Sequence, residues 1–166
     1  MPRYRRHSVD GRPVFLTLVC HARRPWLGEV GARAVALEGL DGARRVHPFQ
    51  HHGHVLLDDH LHLLLTPAPG TQVPLLVGSF KRAVQSRLTG EAGHGRLWQR
   101  RYFDHVIRDA DDFTRHLDYL HFNPVKHGLV RRAGDWQWSS FGEWAARGVY
   151  APDWGSVAPE DLYVGE

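Results

Sequence analysis

The chain has little from which to build a cysteine-based framework. Its 166 residues include one cysteine, Cys20, and one methionine. A lone cysteine excludes an intramolecular disulfide and a cysteine-rich zinc site, and it suits a reducing compartment. No apolar run approaches the roughly 18 residues that a membrane span requires. The basic start Met1-Pro2-Arg3-Tyr4-Arg5-Arg6 has no apolar segment behind it, so a secretion signal is not expected. Internal repeats, low-complexity runs and linkers are lacking as well. Even lysine is scarce, supplying only Lys81 and Lys126 among the 21 basic residues.

What is present is an ordinary globular composition with an uneven charge. Hydrophobic residues at 42% provide enough material for a core, and 18.9 kDa suits one domain. Residues 1–150 hold all 21 Lys and Arg and 14 of the 18 Asp and Glu, a balance of +7; residues 151–166 carry −4. The body of the chain is basic and its C-terminal end acidic. Nineteen of the cations are arginine, whose planar fork suits phosphate. A GC-rich genome would enrich arginine too, so composition alone does not choose a polyanion partner.

Hydrophobic periodicity gives the order β-α-β-β-α-β-α. Val14 to Cys20 is a short apolar run rich in β-formers. Val30 to Arg45 has Ala34, Leu37 and Leu40 at helical spacing, weakened by Gly39 and Gly42. Phe49–Leu57 and His60–Thr66 form two strands about a tight Asp58-Asp59 turn. Gln72 to Leu88 is an amphipathic helix, and Leu97 to Arg108 a mixed aromatic and β-branched strand. From Asp109 to Asn123 a last helix is expected, capped by Asp109 or Asp111 and limited by Pro124. The first six elements follow the ferredoxin-like α+β pattern, an antiparallel sheet with helices on one face; one helix is left over.

Two features carry chemistry. His60-Leu61-His62 on a strand places both imidazoles on one face, where neutral rings can converge on a metal while Leu61 enters the opposite layer. His52-Gly53-His54 has the same spacing, but its glycine weakens a strand. On the leftover helix Phe113, Leu117 and Leu120 form an apolar stripe, and Tyr119 and Asn123 share its flank one turn apart. A phenol then lies close to an amide oxygen able to coordinate a metal.

His60-Leu61-His62 resembles the HUH motif (histidine, bulky hydrophobic, histidine) of single-strand DNA nucleases. The segment Asp118-Tyr119-Leu120-His121-Phe122-Asn123-Pro124-Val125-Lys126-His127-Gly128 resembles the tyrosine segment of REP-associated tyrosine transposases, small relatives of insertion-sequence transposases. Trp98 to His105, Ile107-Arg108-Asp109 and Asp135 to Phe141 extend the similarity, which runs from about Arg5 to Trp154. Leu57-Asp58-Asp59 departs from relatives that carry methionine and proline before the acid.

The resemblance implies one ferredoxin-like domain over 1–154 with an added C-terminal catalytic helix, and leaves residues 155–166 as an acidic tail. It implies Tyr119 as nucleophile, His60, His62 and Asn123 as ligands of a divalent metal, Mg2+ or Mn2+, and a covalent link to the 5′ side of the break. The implied substrate is a palindromic repeat folded as a single-stranded DNA hairpin. The setting is the bacterial cytoplasm, nucleoid-associated when bound to DNA, with no membrane. A monomer is expected, against the shared-site dimers of insertion-sequence relatives.

Arg5, Arg6, Lys81, Arg82, Arg100, Arg101, Arg108 and Lys126 are candidate phosphate contacts, and Trp98, Tyr102 and Phe103 are candidate base-stacking groups or core aromatics. The acidic tail is a candidate partial DNA mimic that restrains activity. Two alternatives stand beside this reading: a non-catalytic hairpin binder, and a hydrolytic nuclease that adds Asp58 or Asp59 to the histidine pair.

Overall fold

The computed structural model describes residues 11–90, 95–159, 162 and 164. Its elements are β1 (Val14–Val19), α1 (Ala32–Val46), β2 (Phe49–Leu56), β3 (His60–Pro67), α2 (Val73–Thr89), β4 (Phe103–Val106), α3 (Ala110–Lys126) and α4 (Phe141–Ala146). The four strands form one sheet in the order β2-β3-β1-β4, every neighbouring pair antiparallel. This is the expected ferredoxin-like arrangement.

Strand alternation divides the molecule into two layers. Val14, Leu16 and Leu18 of β1 and Leu61, Leu63 and Leu65 of β3 bury one face of the sheet under α1 and α2. Ala36, Leu40 and Ala43 come from α1, and Leu76, Val77, Phe80 and Val84 from α2. Gly39, which weakens α1 as a helix former, has a packing reason: a Cβ there would stand 2.7 Å from Val84 Cγ2. The opposite face receives α3, with Phe15, Val55, Leu64, Leu117, Tyr119 and Leu120 in its core. Gly53 allows this approach, since a Cβ there would meet Leu117 Cδ1 at 3.1 Å. The β2–β3 register shifts between His51 and Gly53, so His52 sits in a bulge.

The Asp58-Asp59 turn closes as expected, the Leu57 N–H donating to the His60 carbonyl at 2.9 Å. Three expectations change. The strand expected over Leu97–Arg108 shrinks to β4, because the preceding stretch is held by side chains. Trp98 is buried edge-on to Trp26 at 4.8 Å and tilted against Phe80, and Lys81 Nζ donates to the Gln99 carbonyl at 2.8 Å. Trp98 is therefore a core residue and leaves the set of base-stacking candidates, while Tyr102 and Phe103 are half-buried.

The second change is that α3 passes through Pro124. Proline cannot donate to the Leu120 carbonyl, but the His127 N–H bonds the Asn123 carbonyl and the Leu129 N–H bonds that of Pro124, carrying the helix to Lys126. Asp109 is the residue that caps it, accepting from the Asp112 N–H at 2.8 Å. Third, α1 starts at Ala32 behind Gly31, two residues later than expected.

The C-terminal segment covers the sheet edge. The Leu56 N–H donates to the Trp138 carbonyl and the Ser140 N–H to that of His54, both at 2.9 Å, so β2 does not present a bare edge. Farther on, Leu162 packs on the α3-side cluster and Val164 is buried within it. Of the four acids in residues 151–166 only Asp153 falls among the described residues, and it is exposed. Among the described residues no helix is long and apolar enough to cross a membrane.

Candidate active site

The site forms where β3 passes under the C-terminal half of α3. His60 and His62 project from the α3 side of β3, 4% and 0% exposed, with ring centroids 4.9 Å apart. Register supplies each with a partner. The His60 Nδ1–H donates to Asp59 Oδ1 at 2.6 Å. Thr17, directly opposite His62 on β1, shares a hydrogen bond with His62 Nδ1 at 2.9 Å. With Nδ1 bonded to Thr17, Nε2 is the ring atom on the side that would face a metal. Burial drives the His62 pKa well below its usual value, and the neighbouring His60 adds to the fall, so the ring is in its neutral, ligating form.

Asp59 is partly desolvated, which raises its pKa. Its bonds to His60 and Arg23 outweigh that effect and hold the carboxyl below the usual range. Arg23 reaches Asp59 at 3.3 Å from a tight turn in which Ala22 and Arg23 both adopt positive φ, 55° and 54°. Asp58 is paired with Arg33.

From α3 come Tyr119 and Asn123. The Tyr119 ring meets His62 edge-on at 5.5 Å and Phe15 at 6.1 Å. Asn123, fully buried, uses Nδ2 to donate to the Tyr119 carbonyl at 3.3 Å, while its Oδ1 is sealed from solvent with no conventional hydrogen bond. Its side chain also opposes the loss of basicity at His62, which places the two groups together. A buried carbonyl oxygen beside two imidazoles is the donor set a divalent cation would complete.

The last turn of α3 adds two residues whose placement the sequence did not reveal. Lys126 Nζ donates to Tyr119 Oη at 3.0 Å and lies 4.6 Å from the ring centroid. His127 stands edge-on to His60 at 5.2 Å, its pKa lowered by burial and by the charges of His60 and Lys126.

A second cluster, His105, Asp112 and His116, lies toward the other end of α3 with its ligand-type atoms within 4.8 Å of one another. Asp112 is already engaged: it accepts from the His105 Nε2–H at 2.8 Å, the Arg108 backbone N–H at 2.9 Å and Arg108 Nε at 3.2 Å. The His116 Nδ1–H donates to the Asp112 carbonyl. A cation would have to displace a guanidinium here, whereas Asn123 Oδ1 has no conventional hydrogen bond among the described residues. Asp112 and His116 stand one helical turn apart, but His105 joins them only when β4 meets α3 in the fold.

The expected phosphate contacts do not form one patch. Arg100 and Arg101 are exposed on the loop before β4, at the His60 end of the sheet, where Gln99 bonds Val19 and Val19 pairs with His60. Beside the Asp58-Asp59 turn an open groove of about 680 Å³ is lined by Arg24, Trp26, Asp58 and Arg96, whose two arginines lie outside the expected set. Arg108 stands at the other end of α3 on Asp112. Lys81 and Arg82 belong to α2, on the opposite face. Arg5 and Arg6 lie outside the described residues.

No protein-family model matches the chain. A REP-associated tyrosine transposase of Escherichia coli K12 is 32% identical over 154 residues, covering 93% of this chain and 91% of that protein. A Haemophilus influenzae protein named for the same family is 30% identical, covering 93% and 94%. Among solved structures, a REP-associated tyrosine transposase bound to a REP hairpin superposes with a TM-score of 0.81 at 29% identity over 96% of both chains. The identity with the Escherichia coli protein extends over nearly the full length of both chains, and the superposition takes in 96% of each. The chain belongs to the REP-associated tyrosine transposases, enzymes of the HUH type.

Proposed function

We propose that this enzyme cleaves and rejoins single-stranded DNA at palindromic hairpins through a covalent 5′-phosphotyrosine intermediate on Tyr119. The carrying observation is the 5.5 Å contact between the Tyr119 and His62 rings, with the orphaned Asn123 oxygen one helical turn away. The hairpin as substrate follows from the related structure, which is bound to one.

In cleavage, Tyr119 Oη forms a bond to phosphorus as the P–O3′ bond breaks, and the electron pair leaves on the 3′ oxygen. The phenol proton passes to solvent and the 3′ oxygen takes one up. Because an aryl phosphate is a better leaving group than an alkyl one, a DNA 3′-hydroxyl can reverse the step without ATP. His60, His62 and Asn123 would hold a divalent cation, Mg2+ or Mn2+, whose charge would polarise the scissile phosphate. Two nitrogen donors favour manganese. Asp59 and Thr17 orient the rings toward it.

Arg100, Arg101, Arg24 and Arg96 surround the approach to the turn and are the phosphate contacts this reading favours. Nucleophile and histidine pair come from the same chain, which supports action as a monomer. Residues 155–166 are proposed as a restraint on the site, supported by Val164, which packs in the cluster that contains Tyr119; deletion should raise cleavage or DNA affinity, and no change in either would reject the role. The hydrolytic alternative is disfavoured because Asp59 is committed to His60 and Arg23, and Asp58 to Arg33.

The test is incubation with labelled hairpin DNA and Mn2+ followed by denaturation in detergent. Labelled protein that is lost in Tyr119→Phe, with a free 3′-hydroxyl on the other product, is expected. Cut DNA without an adduct would mean hydrolysis, an adduct on the 3′ phosphate would reject the polarity, and binding without cutting would leave a hairpin binder.

A further inference from the structure

We propose that Lys126 is a catalytic residue whose ammonium group holds the Tyr119 hydroxyl and offsets the negative charge on its oxygen during strand transfer. The proposal rests on Tyr119 being the nucleophile and assigns it a partner.

The placement follows from helix geometry. Residues seven apart turn through about 700°, within about 20° of the same direction, so Lys126 lies on the flank of α3 that carries Tyr119. Helical side chains lean toward the N-terminus, and the four-carbon stem of Lys126 leans back far enough to bring Nζ to 3.0 Å from Oη. The ammonium is also 4.6 Å from the ring centroid, so the aromatic body and the hydroxyl hold it together. Continuation of the helix past Pro124 makes this reach available, since an end at Asn123 would release Lys126 into a loop. At the C-terminus of α3 a cation also meets the favourable end of the helix dipole.

An ammonium group donates and does not accept, so Lys126 occupies an oxygen lone pair and does not take the phenol proton. Its contribution is electrostatic. In rejoining, the DNA 3′-hydroxyl bonds to phosphorus and releases its proton to solvent. The phosphorus–Oη bond breaks, its electron pair stays on Oη, and the oxygen then recovers a proton from solvent. The charge on Oη develops 3.0 Å from a fixed cation, an arrangement that stabilises the transition state more than the ground state. Hydrogen bonds to charged groups are worth enough to change the rate about 10- to 100-fold.

A phosphate-contacting lysine would act on DNA affinity instead, and this distinction supplies the test. Single-turnover adduct formation and rejoining are measured at saturating hairpin DNA for the wild type, Lys126→Met and Lys126→Arg, with DNA affinity and thermal melting measured alongside. The expected result is a 10- to 100-fold fall in both rates for Lys126→Met, affinity and melting within about twofold and 2 °C of the wild type, and partial recovery in Lys126→Arg, which keeps a charged donor. Wild-type rates at saturation with weakened affinity would overturn the proposal and leave Lys126 as a phosphate contact. A wild type that forms no adduct would instead overturn the nucleophile reading, and this proposal with it.

Discussion

The two faces of the sheet use the same strands for different ends. Beneath α1 and α2 the buried residues of β1 and β3 are Val14, Leu16, Leu18, Leu61, Leu63 and Leu65, in a layer of aliphatic and aromatic groups. On the α3 side the buried polar groups are His60 and His62 of β3 and Asp112, His116, His121 and Asn123 of α3 itself. One layer supplies stability through area removed from water. The other gives some of that up, since buried polar groups must each be satisfied, and gains a fixed array of donors. The apolar layer makes the polar one tolerable.

The largest expected effect in breaking this comparison is chemical. Tyr119→Phe should abolish the DNA adduct, a loss of about 10³-fold or more, with melting little changed; a retained adduct would place the nucleophile elsewhere. On the other face, Phe80→Ala should destabilise by about 3–5 kcal/mol in denaturant unfolding, leaving Mn2+ affinity of the remaining folded protein intact. Asp59→Asn should lower Mn2+ affinity about 10- to 100-fold by calorimetry, because the amide no longer fixes the His60 tautomer. If metal affinity is unchanged, Asp59 has a turn-forming role only.

A pH series sharpens the contrast. His54, opposite Leu63 on the α1 face of β2, has its pKa pushed down to about 4 by burial, with the charge of His51 adding to the fall. In the unfolded chain it titrates near 6.5, so acid protonates the unfolded state first. Stability is thus full above about pH 6.5 and declines as pH falls toward 4. Melting temperature should fall across that window and fall less in His54→Gln. A flat profile would contradict the burial of that ring. The smallest effect is expected at Arg101, exposed on the loop before β4. Arg101→Ala should reduce the salt dependence of DNA affinity by about one phosphate contact and leave the saturated rate alone.

Legibility in the sequence followed the same divide. β1, the β2–β3 hairpin and α2 were readable because alternation and four-residue spacing record which side chains are buried. The placement of Tyr119 beside Asn123 on α3 was readable too, being a matter of helix angle. The loop at 97–102 was not, because Trp98 is held by Trp26 and Phe80 from distant parts of the chain, and its aromatics imitate a strand. Pro124 suggested a stop that the bonds of His127 and Leu129 override. The reach of Lys126 spans two turns, and the joining of His105 to Asp112 requires β4 to dock first; neither leaves a short-range pattern.

The two-residue turn between β2 and β3 has a consequence for how this gene can vary. Alternation along β3 places leucines in one layer and histidines in the other, and the turn's length sets which is which. Exchanging Asp58 or Asp59 for another residue alters a contact. Inserting or deleting one codon there would invert the strand, turning His60 and His62 into the hydrocarbon layer and Leu61 and Leu63 toward the tyrosine. At this point the reading length of the chain is itself a component of the active site, and change by indel should be far less tolerated than change by substitution.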